Sequence, residues 1–261
     1  MKNNLFSKDE VACSDKFDQL FSSEIKLFSN LFEQLESFVS QISGKIKDTE
    51  RPDYTVEILL VHNLSLFACA FNQLRSGYLG VSQATLRSIA ENLTMSMYYW
   101  EFPEHEKKYR DNTRSLWNSI KQKGYAGEWM DLALARIDKE GKVFKILDES
   151  GERSWQKFIS QNLMEEASSF LHQNFHFVEA LVYQTTSNDG KNHFVYGPHW
   201  NNDEVMKNGL WKLIEALIFE TIVFDTVFKK FINVNDRKLV GEAVDQLNEW
   251  KIEYNKSEEK L

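Results

Sequence analysis

The fold class is indicated first by residues 15–47, which read DKFDQLFSSEIKLFSNLFEQLESFVSQISGKIK. Apolar residues recur in this stretch at intervals of three and four, which is the spacing of one face of an α-helix. They are Phe17, Leu20, Phe21, Phe28, Leu31, Phe32, Leu35, Phe38, Val39 and Ile42. The stretch therefore predicts one long amphipathic helix at the N-terminal end of the fold.

Further helices are predicted along the rest of the chain from the same periodicity and from residues that begin or end helices. They cover residues 52–76, 82–101, 104–123, 127–150 with an interruption near Gly141, 155–184, 203–233 and 236–254. Gly77 is expected to end the first of these helices, and Ser82 to be the N-cap of the second. Because the helix over 52–76 is apolar on nearly all sides, we expect it to be central. Asn188-Asp189-Gly190 is a turn signal, so a long ordered loop or a short hairpin is expected near residues 185–200.

The composition of the 261-residue chain favours a single all-α domain over other fold classes. Three prolines and eleven glycines are too few for the many turns of a β-sandwich or barrel. We therefore predict one helical bundle, of about six to eight helices, over residues 1–261, with its core in residues 52–233.

Charge and cysteine content point to a cytoplasmic protein that does not bind membranes. The formal net charge of −8 argues against bulk attraction to nucleic acid or anionic lipid, although a local basic patch could still bind nucleic acid. Cys13 and Cys69 have neither disulfide-framework nor zinc-ribbon spacing. The best membrane-span candidate, residues 210–231, carries Lys212, Glu215, Glu220 and Asp225, which indicate a packed helix of a soluble protein.

The first candidate site is a polar stripe on the helix over 82–101. Arg87, Glu91, Thr94 and Tyr98 fall on one narrow face beside the apolar face of that helix. An arginine–glutamate pair in this position can orient a carboxylate or hold a phosphate-bearing ligand. We assign Arg87 and Tyr98 to ligand binding. The ordinary alternative is an i,i+4 ion pair without further role.

The second candidate site is a cluster on the helix over 155–184. Glu165, His172, His176, Glu179 and Tyr183 share one face of it. Two histidines at i and i+4 can bind one metal ion, with a carboxylate as third ligand or base. A divalent metal is therefore the candidate cofactor. The ordinary alternative is a pair of histidines that hydrogen-bond within the bundle.

Residues of this second cluster can be assigned to a metal site, a catalytic site or a ligand-binding site. A third metal ligand would come from elsewhere in the chain, from Glu91 or His62. In a catalytic version Glu91, His172 and Glu179 carry the reaction. In a binding version His176 and Tyr183 contact the ligand.

A basic stripe on the helix over 104–123 is the candidate nucleic-acid surface. Lys107, Arg110, Arg114 and Lys121 lie within a narrow arc, with Trp117 beside them. Such a row could follow a phosphate backbone while the aromatic ring stacks on a base. A solvated helix face is the alternative.

Three short motifs together resemble a known class of proteins. They are Arg87-x3-Glu91, Ser168-Ser169-x2-His172 and Gly197-Pro198. In this combination the chain is similar to uncharacterised bacterial helical proteins related to the HEPN class of nucleotide-binding and RNA-cleaving domains. The resemblance covers about residues 55–230 and implies a helical fold, a homo-oligomer or partner protein, and a role in stress response or phage defence. No arginine here precedes a histidine by the interval typical of the ribonuclease members, so RNA cleavage is not implied.

Two functional hypotheses follow from the sequence, and a helical bundle that only mediates protein interactions is the third possibility. The first is a binding, regulatory or effector protein of a bacterial stress or phage-defence system, with a polar pocket between two core helices. The second is a metal-dependent hydrolase or nuclease that uses His172 and His176.

Overall fold

The structure is a computed structural model. It describes residues 7–43, 45, 52–101, 103, 106, 185–186, 192–193, 198, 200, 202–232 and 238–258. Over these residues the chain forms six helices, which confirms the predicted all-α class. They are α1 (Ser7–Leu20), α2 (Ser22–Ile42), α3 (Pro52–Arg75), α4 (Leu79–Glu101), α5 (Asp203–Phe228) and α6 (Lys238–Glu258). One cluster of buried apolar side chains draws residues from all six helices.

The single long helix predicted for residues 15–47 is wrong in its extent and its continuity. Helix α1 begins earlier, at Ser7, and α1 and α2 meet at Phe21, whose φ of −118° and ψ of 30° lie outside the helical range. Phe17 and Phe21 both pack on Trp200 beside the break, Phe17 edge-on and Phe21 stacked. A residue almost 180 positions away along the chain thus contributes to the packing at the break, and the local spacing does not show it.

Helices α3 and α4 form an antiparallel hairpin with a very tight connection. Gly77 has a positive φ of 86°, and its N–H donates to Leu74 O while the Tyr78 N–H donates to Gln73 O. These two bonds are the Schellman motif that ends helices at a glycine, as predicted for Gly77. The next helix starts at once, at Leu79, so the prediction of Ser82 as N-cap is wrong. Ser82 lies inside α4, and its N–H donates to Tyr78 O.

Helix α5 is more completely buried than α3, the helix that was predicted to be central, although α3 also contacts four of the described helices. Most residues of α5 are buried, and it contacts α2, α3, α4 and α6. Asn202 is its N-cap, with the side chain accepting a hydrogen bond from the Val205 N–H. In contrast, α3 leaves Ile58 and Ser65 exposed. Apolar content alone did not distinguish these two helices, although the exposed side of α3 carries the polar residues His62, Ser65 and Asn72.

The ends of the last two helices differ from the predicted ends. Helix α5 ends at Phe228 rather than near residue 233, and α6 runs from Lys238 to Glu258 rather than from 236 to 254. Val244 and Leu247 lie on the buried side of α6, as the periodicity predicts.

A minimal antiparallel ladder occurs near residue 190, where a loop or hairpin was predicted. Thr185 pairs with His193, and Thr186 pairs with Asn192. These four residues are the only strand residues in the part of the chain that the structure describes. The turn signal between them lies outside the described residues.

One described helix is long and apolar enough to cross a membrane, by length and composition only. It is α3, over Tyr54–Arg75, rather than the stretch over 210–231 named from the sequence. Core helices of soluble proteins can meet the same criterion, so this finding is weak support for a membrane.

Candidate functional site

The polar stripe on α4 contains a half-buried ion pair. Arg87 Nε lies 3.0 Å from Glu91 Oε1 and donates a hydrogen bond to it. The Arg87 side chain is 8% exposed, whereas the Glu91 side chain is 32% exposed. The pair thus runs from the edge of the core towards solvent. This arrangement differs from an ordinary surface pair, in which both side chains are hydrated.

The other two members of this stripe contribute differently. Thr94 is buried, and its Oγ1 donates a hydrogen bond to Ala90 O at 2.8 Å. The hydroxyl proton of Thr94 is therefore used in a bond within α4. Tyr98 is part of α4, but its side chain lies outside the described residues. Arg87 and Glu91 are therefore the part of the stripe with a defined geometry.

The remaining predicted site residues lie outside the described part of the chain. They are Lys107, Arg110, Arg114, Lys121, Glu165, His172, His176, Glu179 and Tyr183. His62, named as a further metal ligand, is exposed on α3. Within the described ranges, no three histidine, cysteine, aspartate or glutamate side chains are grouped so that they could hold a metal ion.

A buried polar layer, which the sequence analysis missed, joins the middles of α3, α4 and α5. Asn63 Nδ2 donates to Glu220 Oε2 at 2.7 Å and makes a longer contact, 3.3 Å, to Ile89 O. Asn92 Nδ2 donates in turn to Asn63 Oδ1 at 2.8 Å. Asn63 and Glu220 are fully buried, and Asn92 is half-buried. The layer therefore extends from a partly hydrated amide on α4 to a carboxyl group inside the core.

Glu220 is the least satisfied member of this layer. Within the described residues its Oε1 has no hydrogen-bond partner. Burial raises the pKa of the Glu220 carboxyl well above its ordinary value, and the hydrogen bond from Asn63 opposes this only in part. Desolvation disfavours the charged carboxylate. The neutral acid is accordingly favoured over a wider pH range than for an exposed glutamate.

The sequence carried a partial signal for this layer. Glu220 stands inside the apolar run of residues 210–231, and Asn63 stands inside the apolar run of α3. A polar residue on the buried side of an apolar helix is expected to have a hydrogen-bond partner, because burying a polar group without one costs free energy. The pairing itself spans 157 positions and could not be inferred from spacing.

A groove of about 190 Å³ lies between α2, α5 and α6. Lys207 of α5 pairs with Glu24 of α2 at 3.3 Å, and Trp211 stacks on Trp250 of α6 with ring centroids 5.2 Å apart. The Trp211 indole N–H is covered and has no partner among the described residues. A molecule in the groove could not reach this N–H without moving the tryptophan rings. We therefore interpret the ion pair and the stacked rings as contacts that hold α2, α5 and α6 together.

Comparisons of this chain with protein-family models, with curated proteins and with solved structures found no match.

Proposed function

We propose that the chain is a helical-bundle binding or regulatory protein whose ligand site includes Arg87 and Glu91 on α4. In this proposal the pair lines a polar pocket that it shares with the segment containing His172 and His176. The observation that supports it is the unequal burial of the pair, with an almost covered guanidinium next to a carboxylate that solvent reaches.

The physical argument starts from the energy of burying a guanidinium. An exposed i,i+4 pair contributes only a few tenths of a kcal/mol, and both partners remain hydrated. Removing the charge of Arg87 from water is costly and needs compensation by hydrogen bonds of good geometry. Glu91 supplies one such bond, which it accepts from Nε of the guanidinium. A guanidinium oriented in this way suits a ligand that carries phosphate or carboxylate groups.

The biological setting that we propose rests on the resemblance to HEPN-related helical proteins. It is a bacterial stress or phage-defence system, with the protein in the cytoplasm and paired with a second copy or a partner protein. The nucleotide-binding members of that class make nucleotides the first ligands to test.

Isothermal titration with ATP and with a short single-stranded RNA tests the proposal directly. We expect at least one of these probes to bind, and Arg87→Ala to weaken that binding by about 10- to 100-fold, the worth of one charge-assisted hydrogen bond. Arg87→Lys should recover only part of the loss, because an ammonium lacks the planar fork. Lys26→Ala is the matched control, since it removes an exposed positive charge from α2.

Two results would overturn the proposal. One is the absence of binding by both probes, and the other is equal binding by wild type and Arg87→Ala. Titration with Zn²⁺ adds a separate outcome. Stoichiometric zinc binding that His172→Ala abolishes would favour the metal-dependent hydrolase instead.

A further inference from the structure

The buried layer of α3, α4 and α5 places a titratable group where ionisation has structural consequences. Glu220 is fully enclosed, and a single side-chain donor, from Asn63, reaches its carboxyl group within the described residues. An ionised carboxylate needs several donors or water to compensate for lost hydration. With one donor, the charged form can be accommodated only if water enters or the helices move apart.

Other charged groups on the packed helices do not offset this requirement. Among the described residues, burial and the Asn63 amide are the causes of the shifted Glu220 pKa, and no charged side chain contributes. Arg87 is engaged with Glu91 on α4. The surrounding helices carry the following titratable or charged residues: Glu24, Lys26, Glu33 and Glu36 in α2; Asp53, Tyr54, Glu57, His62, Cys69 and Arg75 in α3; Arg87, Glu91, Tyr98, Tyr99 and Glu101 in α4; Asp203, Glu204, Lys207, Lys212, Glu215 and Asp225 in α5; and Lys238, Glu242, Asp245, Glu249, Lys251, Glu253, Tyr254, Lys256 and Glu258 in α6.

We propose that Glu220 is a pH-responsive switch in which the neutral acid joins α3, α4 and α5 through Asn63 and Asn92, and loss of its proton loosens these three helices. The step is an ordinary acid dissociation. The O–H bond of the carboxyl group breaks, and its proton goes to solvent water or a buffer base. The resulting carboxylate draws water into the layer, and the helices separate there first.

The direction of the effect follows from linkage between protonation and folding. The folded-state pKa of Glu220 lies above the unfolded value, so between the two values the folded chain holds a proton that the unfolded chain has released. The contribution of this proton to the free energy of unfolding is fully present below the pKa that Glu220 has in the unfolded chain. It is lost as the pH rises through the pKa that Glu220 has in the folded chain. Within that window the unfolding equilibrium constant rises about tenfold per pH unit.

Urea unfolding between about pH 5 and 9 tests the stability part of the proposal. Glu220→Gln removes the titration with little change of shape, and Glu204→Gln, at an exposed position of the same helix, is the control. We expect the ratio of the wild-type unfolding constant to that of Glu220→Gln to grow with pH above about 4.5, by up to about tenfold per unit. The ratio of wild type to Glu204→Gln should stay constant. If Glu220→Gln does not fold, Glu220→Leu serves the same purpose, because it also lacks the titrating group.

Hydrogen exchange read by mass spectrometry tests the loosening itself. At pH 8.5, peptides from the middles of α3, α4 and α5 should exchange several-fold faster in wild type than in Glu220→Gln. At pH 5 they should exchange equally. Parallel stability profiles for wild type and the Glu220 variant, or equal exchange at both pH values, would overturn the proposal. Faster exchange spread evenly over all six helices would also contradict it, since the switch acts on three.

Discussion

Replacing Asn63 by alanine perturbs the polar layer at its centre, because Asn63 is the residue that contacts both other members. The change removes the short hydrogen bond to Glu220, the longer contact to Ile89 O and the acceptor of the Asn92 amide. Each ordinary bond contributes about 0.5–1.5 kcal/mol, and an orphaned buried acceptor costs about 1–3 kcal/mol. Asn92 is half-buried and can recover a bond from water. We therefore expect Asn63→Ala to lower the free energy of unfolding by about 2–4 kcal/mol.

Urea unfolding followed by far-ultraviolet circular dichroism measures this change. Asn72→Ala, at an exposed position of the same helix, controls for the loss of an asparagine from α3 and should alter stability by less than about 0.5 kcal/mol. The double variant Asn63→Leu, Glu220→Leu should be less destabilised than the sum of its single changes, because both polar partners are removed together. The reasoning is refuted if Asn63→Ala and Asn72→Ala have the same stability.

Further predictions concern the hairpin turn, the α4 pair and the basic stripe. Gly77→Ala should cost about 1 kcal/mol in thermal unfolding, because alanine is strained at a φ of 86°; an unchanged melting temperature would contradict the Schellman turn. Arg87→Ala should leave Glu91 without its partner and lower stability by about 1–3 kcal/mol, with Lys26→Ala neutral in the same assay. Charge reversal at Arg110 and Arg114 should weaken RNA binding and reduce its salt dependence, as measured by fluorescence anisotropy. Unchanged affinity would identify the stripe as a solvated helix face.

The sequence predicted those parts of the fold that depend on neighbouring residues. Intervals of three and four between apolar residues indicated helices, and Gly77 ended α3 because only a residue tolerant of positive φ fits there. The start of α4 was misplaced, since a serine suited to an N-cap lies three residues after the true start. The tight turn left no room for the cap.

Features that depend on distant residues could not be predicted in the same way. The packing of Phe21 on Trp200 joins residues far apart in the chain, and the central position of α5 depends on how the other helices surround it. The polar layer requires Asn63 and Glu220 to meet across the core. Of the candidate site residues, the spacing of Arg87 and Glu91 was enough to suggest their ion pair, because residues four apart on a helix are neighbours.

The proposed pocket requires Glu91 to lie close to His172 and His176, and a titration of histidine resonances by nuclear magnetic resonance measures this proximity. Signals are assigned with His172→Gln and His176→Gln, and pKa values are compared between wild type and Glu91→Gln. A nearby carboxylate raises a histidine pKa, so its removal should lower the pKa of at least one of the two. If both pKa values stay the same in Glu91→Gln, the two segments do not share a pocket.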